Sequence, residues 1–196
     1  MRAGAGIGRR IARSERGLMS DVVAIRTVEE GDWEAIAALT NAYIVGTAVH
    51  FGYEPVTGAE LRAAWWPKRE RYPFLVADDT RTGAFLGYAK AGSWRERAAY
   101  QWTAEVGIYV VADAQRRGVG RRLYAALIEA CRARGFHSLV GGVTLPNEPS
   151  CALHEAMGFR RVATFARAGW KLGRWHDVAF YQCMLRDGAE EPLELP

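Results

Sequence analysis

The run Gln115-Arg116-Arg117-Gly118-Val119-Gly120 constrains this chain more than any other segment. It follows a stretch of period-2 alternation over residues 100–110 and precedes a stretch of helical periodicity over residues 118–134. A glycine-rich turn from strand to helix lets the backbone approach a ligand closely. The first N–H groups of the helix have no internal partner, and the positive end of the helix dipole lies beside them. Together they form an anion cradle suited to a pyrophosphate, to which Arg116, Arg117, Arg121 and Arg122 add positive charge. Two common phosphate loops are excluded. A dinucleotide loop needs a third glycine where Leu123 stands, and a Walker loop needs a Gly-Lys-Ser/Thr run that is absent. The bland alternative is a glycine-rich turn with solvated arginines.

Around this turn the chain reads as one α/β layer structure. Strands are expected over residues 22–26, 74–78, 85–91, 100–110, 138–144, 159–168 and 178–185. Helices are expected over 28–45, 57–71, 118–134 and 149–157, with Pro67 shortening or kinking the second and Gly135 stopping the third. Residues 169–177 read as a connection. On the strand over 100–110, Trp102, Ala104, Val106, Ile108 and Val110 share one side and Thr103, Glu105, Gly107 and Tyr109 the other. Gly107 marks either a bulge or a close approach by something else. The picture is a mixed central sheet of about seven strands with about four helices.

Charge narrows the partners. The chain of 196 residues holds 26 basic and 22 acidic side chains. Five arginines and one glutamate lie in residues 1–20, so the remainder balances at 21 of each. The excess belongs to a leader, read as a disordered basic extension, and a general nucleic-acid surface is not supported. Gly4 to Gly8 mimics a dinucleotide loop but no strand precedes it, and Met19 opens a more typical domain start. The domain is placed at 21–186, with a C-terminal tail at 187–196. No window has the roughly 18 apolar residues of a membrane span. Cys131, Cys151 and Cys183 form no CxxC pair, and the four histidines have no zinc-ligand spacing, so no metal is expected.

Six segments carry a resemblance. They are Glu70-Arg71-Tyr72-Pro73 with Leu75-Val76-Ala77; Tyr100-x-Trp102-Thr103-Ala104-Glu105 with Tyr109-Val110; the Gln115–Gly120 cradle; Leu145-Pro146-Asn147-x-Pro149-Ser150; His154-Glu155-Ala156; and Trp175-His176-Asp177-Val178. They resemble the GCN5-related N-acetyltransferase (GNAT) superfamily, and within it the phosphinothricin N-acetyltransferase group. The resemblance implies a single-domain GNAT fold, acetyl-CoA as co-substrate, a cytoplasmic homodimer, and acetyl transfer to the amino group of a small amino-acid-like molecule. Phosphinothricin and methionine sulfoximine are both candidate acceptors, because Ala48-Val49-His50-Phe51 and Gly52-Tyr53 depart from the group's usual pattern.

The resemblance also implies roles. Backbone groups of Ile108, Tyr109 and Val110 would meet the acetyl and pantetheine part, and N–H groups beside Gly107 would stabilise an oxyanion. Arg116, Arg117, Gly118, Val119, Gly120 and Arg121 would hold the pyrophosphate, and Asn147 the pantetheine arm. Glu105 would be the general base, since an ammonium has no lone pair with which to attack a thioester. His154 would protonate the leaving thiolate, or orient Glu105 or the substrate. Arg95 and Arg97 would hold an acidic group of the acceptor, and Phe51 and Trp94, with Trp102 and Trp175, would wall the pocket. Each reads equally as a charged turn or as core. The remaining functional alternatives are a protein or peptide N-acetyltransferase and a non-catalytic CoA-binding module.

Overall fold

The computed structural model describes residues 22–186 and 191–195. The basic leader over 1–20 and the start at Met19 lie outside the described residues, as do 187–190 and 196 of the tail. Strand β1 is Val23–Thr27, and a short 3-10 turn, Glu30–Asp32, leads into α1, Trp33–Gly46. Arg26 binds both Asp32 (2.6 and 2.7 Å) and Asp78 (2.7 Å), fixing this turn to the neighbouring strand. Helix α2, Gly58–Trp65, is opened by a capping box between Thr57 and Glu60. It is shorter than expected because Pro67 lies in the 3-10 turn Trp66–Lys68 that follows.

The remaining elements are β2 (Phe74–Asp79), β3 (Phe85–Ser93), β4 (Thr103–Val110), α3 (Val119–Ala133), β5 (Ser138–Thr144), α4 (Glu148–Ala156), β6 (Arg160–Lys171) and β7 (Arg174–Met184). Gly135 follows α3 at φ +84°, the left-handed stop expected of it. Two expectations fail. Residues 98–100 form a 3-10 turn, so β4 starts three residues later than alternation indicates. The expected connection over 169–177 is instead strand, so β6 and β7 make one long hairpin that turns at Leu172 and Gly173.

The strands form one seven-stranded sheet in the order β1-β2-β3-β4-β5-β7-β6. Only β4 and β5 run parallel; the other neighbouring pairs are antiparallel. Trp33, Ile36 and Leu39 of α1 pack on one face against Phe74, Val76 and Tyr88. Leu123, Leu127 and Cys131 of α3 pack on the other against Ala77, Ala89, Ala104 and Leu139. Cys131 and Cys183 are buried, and all three cysteines are free. The Trp102 indole donates to the Leu193 carbonyl (2.7 Å), which ties the described end of the chain to the domain. Among the described residues, no helix is long and apolar enough to cross a membrane.

Candidate active site

The site begins where two strands part. Strands β4 and β5 pair from Thr103↔Ser138 to Glu105↔Val140 and no further. The phase of each ladder shows what the parting exposes. Val111 donates its N–H to Leu86 on the β3 side, and the Trp102 carbonyl accepts from residues 137 and 138 on the β5 side. In an antiparallel ladder these directions alternate, so Glu105, Gly107 and Tyr109 bond β3 while Val106, Ile108 and Val110 face the gap. The Val110 carbonyl takes the Tyr43 hydroxyl (3.0 Å). The N–H groups of Ile108 and Val110 therefore open into the gap, whereas Tyr109 uses its backbone groups on β3. The β3–β4 register runs unbroken past Gly107, so of its two readings, a bulge or a close approach, the bulge is not formed.

At the far end of the gap stands the glycine turn. Gly118 caps α3 at φ +83°, and Arg116 has φ +57°. Both left-handed residues bend the chain so that the first turn of α3 begins beside Val110 and Ile108, which approach Gly120 from below. Arg122 is not available to this cradle, because it donates to the Val23 carbonyl (2.8 Å). Arg116, Arg117 and Arg121 are exposed around the turn. An alanine at 118 would meet nothing within 4 Å, but it must adopt a left-handed conformation that costs about 1–2 kcal/mol. Gly118→Ala is expected to raise KM for acetyl-CoA about tenfold with little change in kcat, measured by thiol release at varied donor.

A cavity of about 590 Å3 passes through the gap, reaching both faces of the sheet. On the α1 face it meets Glu105, Lys90, His50 and Phe51; on the α4 face it meets Asn147, Ser150 and His154. Solvent reaches the Glu105 carboxylate. The enclosing walls nevertheless remove enough water to push its pKa upward, against the opposing charges of Arg95 and Lys90. Asn147 caps α4 by accepting from the Ser150 N–H (3.2 Å).

His154 is 4% exposed and ringed by Tyr124, Phe159 and Tyr181. Its Nδ1 lies 2.8 Å from the Ser150 carbonyl. A carbonyl only accepts, so Nδ1 carries the proton and the neutral ring keeps its lone pair on Nε2. Burial pushes the pKa of His154 down, with the Ser150 bond opposing. Glu105 and His154 stand on opposite faces of the sheet, and no hydrogen bond joins them among the described residues.

The other expected residues divide. Arg95, Arg97 and Trp94 line a separate open depression of about 1180 Å3 with Arg71 and Tyr100. The two hollows adjoin along β3, where Gly92 lines one and Ser93 the other. Trp102 and Trp175 line neither. His176 binds the Lys171 carbonyl (3.0 Å) and Asp177 binds the Arg167 N–H (2.8 Å), so these two residues build the hairpin, while Val178 of the same segment lines the cavity.

Sequence reasoning missed Lys90 and Lys171. Lys171 is buried and donates to the carbonyls of Ile44, His50 (2.7 Å) and Gly52, clamping the loop that carries His50 and Phe51. Phe51 also lies flat over Gly169, where a Cβ would stand 2.3 Å from its ring. The legible signal for Lys90 is a lysine inside an otherwise apolar and glycine-rich strand. Among the described residues, no group of three or more His, Cys, Asp or Glu is placed to hold a metal.

Comparison with known proteins agrees with this architecture. The family model of an acetyltransferase (GNAT) domain matches residues 25–180. The chain is 42% identical over 160 residues to phosphinothricin N-acetyltransferase of Streptomyces viridochromogenes, covering 82% of this chain and 86% of that protein. It is 37% identical over 164 residues to the L-methionine sulfoximine/L-methionine sulfone acetyltransferase of Pseudomonas paraeruginosa, covering 83% and 94%. A GNAT phosphinothricin acetyltransferase from Sinorhizobium meliloti, solved with acetyl-CoA, superposes with a TM-score of 0.83 at 31% identity, over 88% of this chain and 94% of that one. The chain belongs to the GNAT superfamily, in the group of the phosphinothricin N-acetyltransferases, and is an N-acetyltransferase whose acetyl donor is acetyl-CoA.

Proposed function

We propose that the protein acetylates the amino group of a small amino-acid-like acceptor, with Glu105 as general base and direct attack on the thioester. The observation that carries this reading is the cavity through the β4–β5 gap, with one carboxylate, Glu105, on the face opposite His154 and Asn147. Its volume suits a small molecule rather than a length of peptide chain. The kinship with phosphinothricin and methionine sulfoximine acetyltransferases supports the same acceptor class.

On the donor side, the first turn of α3 with Arg116, Arg117, Gly118, Val119, Gly120 and Arg121 holds the pyrophosphate. The N–H groups of Ile108 and Val110 face the thioester, which supplies the electrophilic carbonyl, and stabilise the developing oxyanion. The Asn147 side chain meets the pantetheine arm. On the acceptor side, Glu105 removes a proton from the ammonium, leaving the lone pair free. His154, neutral and with its lone pair on Nε2, is a second proton acceptor rather than the acid for the thiolate. Protonating the leaving group from Nε2 would require the imidazolium, which burial opposes. A thiol with a pKa near 8.5 departs without that help.

Pairing of two copies, implied by the family, is supported by the apolar side chains Val162, Phe165, Trp170, Leu172 and Trp175 exposed along the β6–β7 edge. The activity is tested by mixing the protein with acetyl-CoA and a panel of amino-acid analogues that includes phosphinothricin and methionine sulfoximine, and following free thiol. Release of CoA with at least one of them is expected. No release with any, in protein that still binds acetyl-CoA, would leave a protein or peptide N-acetyltransferase or a CoA-binding module, which acetylation of peptides then separates.

A further inference from the structure

Lys90 is a second charged group on the floor of the acceptor side, and neither the fold nor the transfer step accounts for it. It lies mid-strand in β3, a strand in which Leu86, Tyr88, Ala89 and Ala91 are all buried. Its pairing partner on β4 is Gly107, and that of Glu105 is Gly92. Each charged side chain therefore stands opposite a residue with no side chain, and the two lie diagonally across the same face. The other cross-strand pair on that face, Tyr88 with Tyr109, is closed by stacked rings 5.0 Å apart. The two glycines thus leave the hollow that Lys90 and Glu105 share.

Lys90 has no hydrogen bond and no ion pair among the described residues, although it is largely enclosed. Its ammonium borders the hollow that it lines and is free to meet a group placed there. Its contrast is Lys171, whose three donors all meet carbonyls. Burial pushes the pKa of Lys90 down and Glu105 opposes the shift. His50, on the same wall, has its pKa pushed down by burial and by Lys90 and Lys171. The charged groups lining the hollow are thus Lys90 and Glu105, one of each sign, and this suits an acceptor that carries both an ammonium and a negative group.

We infer that Lys90 receives the α-carboxylate of an α-amino acid acceptor while Glu105 faces its amine. Spacing decides which acidic group it is. Diagonal neighbours on adjacent strands have Cβ atoms less than ~7–8 Å apart. In an α-amino acid the amine and the carboxylate sit on one carbon, so an amine beside Glu105 brings its carboxylate within reach of Lys90. The side chain of the acceptor then extends past Gly92 toward the depression that holds Arg95 and Trp94. Lys90 is therefore a specificity-determining residue that favours free α-amino acids over amines lacking the carboxylate. This inference rests on the acceptor class proposed above.

The test compares methionine sulfoximine with its carboxamide, which lacks the negative charge, in native protein and in Lys90→Met. The ratio of kcat/KM for the acid to that for the amide, compared between the two proteins, cancels the different basicity of the two amines. That ratio is expected to fall about ten- to hundredfold in the variant, with KM for acetyl-CoA unchanged. Lys90→Gln gives the same reading if the methionine variant does not fold. An equal loss on both acceptors, or an unchanged ratio, would overturn the role of Lys90 while leaving the acetyltransferase reading intact. Failure of the native protein to acetylate either compound or any other in the panel would instead defeat the proposed function itself.

Discussion

Replacing Glu105 by glutamine lowers kcat by about 10²- to 10⁴-fold at neutral pH, the range expected for loss of a positioned general base. KM for acetyl-CoA stays the same, because Glu105 faces the acceptor side of the cavity and the cradle lies beyond Val110. The pH profile carries a second signature. Burial pushes the Glu105 pKa up, so the acid limb of kcat/KM lies above the ordinary carboxylate range near 4.3. Activity rises as Glu105 ionises, and in the glutamine variant that limb disappears.

Stability moves the other way. A carboxyl whose pKa is raised on folding holds its proton more tightly in the native state. Its stabilising contribution is present below the unfolded pKa and is lost as pH rises through the folded value. At neutral pH the ionised carboxylate is therefore unfavourable to folding, and glutamine is not. Glu105→Gln is expected to melt at or above the native temperature while being nearly inactive. A variant with native kcat would remove Glu105 from the base role, and an inactive variant with a much lower Tm would show loss of fold rather than of chemistry.

How much of this was legible in the sequence depends on the range of the physics. The cradle is local: a strand, two left-handed positions and a helix start are written within residues 115–120. Alternation along 103–110 placed Glu105 opposite Val106 and Ile108, and the structure keeps that division. Pairing is not local. That β4 and β5 separate after Glu105↔Val140 depends on a strand more than 30 residues away, so nothing near Glu105 announces the gap. Lys90 is visible as a lysine in an apolar strand, but the hollow it lines becomes apparent only when Gly107 is known to lie across from it. Between the two expected strands, residues 169–177 read as a connection because Gly169, Gly173 and Asp177 are turn residues by composition. There the strands continue through Gly169↔His176, Trp170↔Trp175 and Lys171↔Arg174, so the turn is confined to Leu172 and Gly173.

The second large effect is expected at a residue with no functional group. Gly141 lies on β5 beneath His154, and a Cβ there would stand 2.5 Å from Nε2 and 3.0 Å from Cδ2 of the ring. The ring is held by its neighbours. Tyr124, Phe159 and Tyr181 stand around it at centroid distances of 5.1 to 5.4 Å, Tyr124 and Phe159 also meet each other at 5.0 Å, and Nδ1 is tied to the Ser150 carbonyl. Gly141→Ala must therefore push α4 from the sheet or turn the ring out of its place. Overpacking of this kind costs about 1–3 kcal/mol, which lowers Tm by roughly 2–4 °C per kcal/mol in a domain of this size. Displacing Nε2, the proton acceptor of the proposed mechanism, is also expected to lower kcat at least tenfold.

A double-mutant cycle separates the two consequences. With His154→Ala in place, the ring that the new methyl group would strike is gone. The stability cost of Gly141→Ala should then largely vanish, giving a coupling within the range of about 0.5–3 kcal/mol seen for residues in contact. Activity should remain as low as in His154→Ala alone. Additive stability losses would show that the alanine disturbs β5 itself, and a Gly141→Ala protein with native Tm and kcat would mean that His154 does not sit over this glycine.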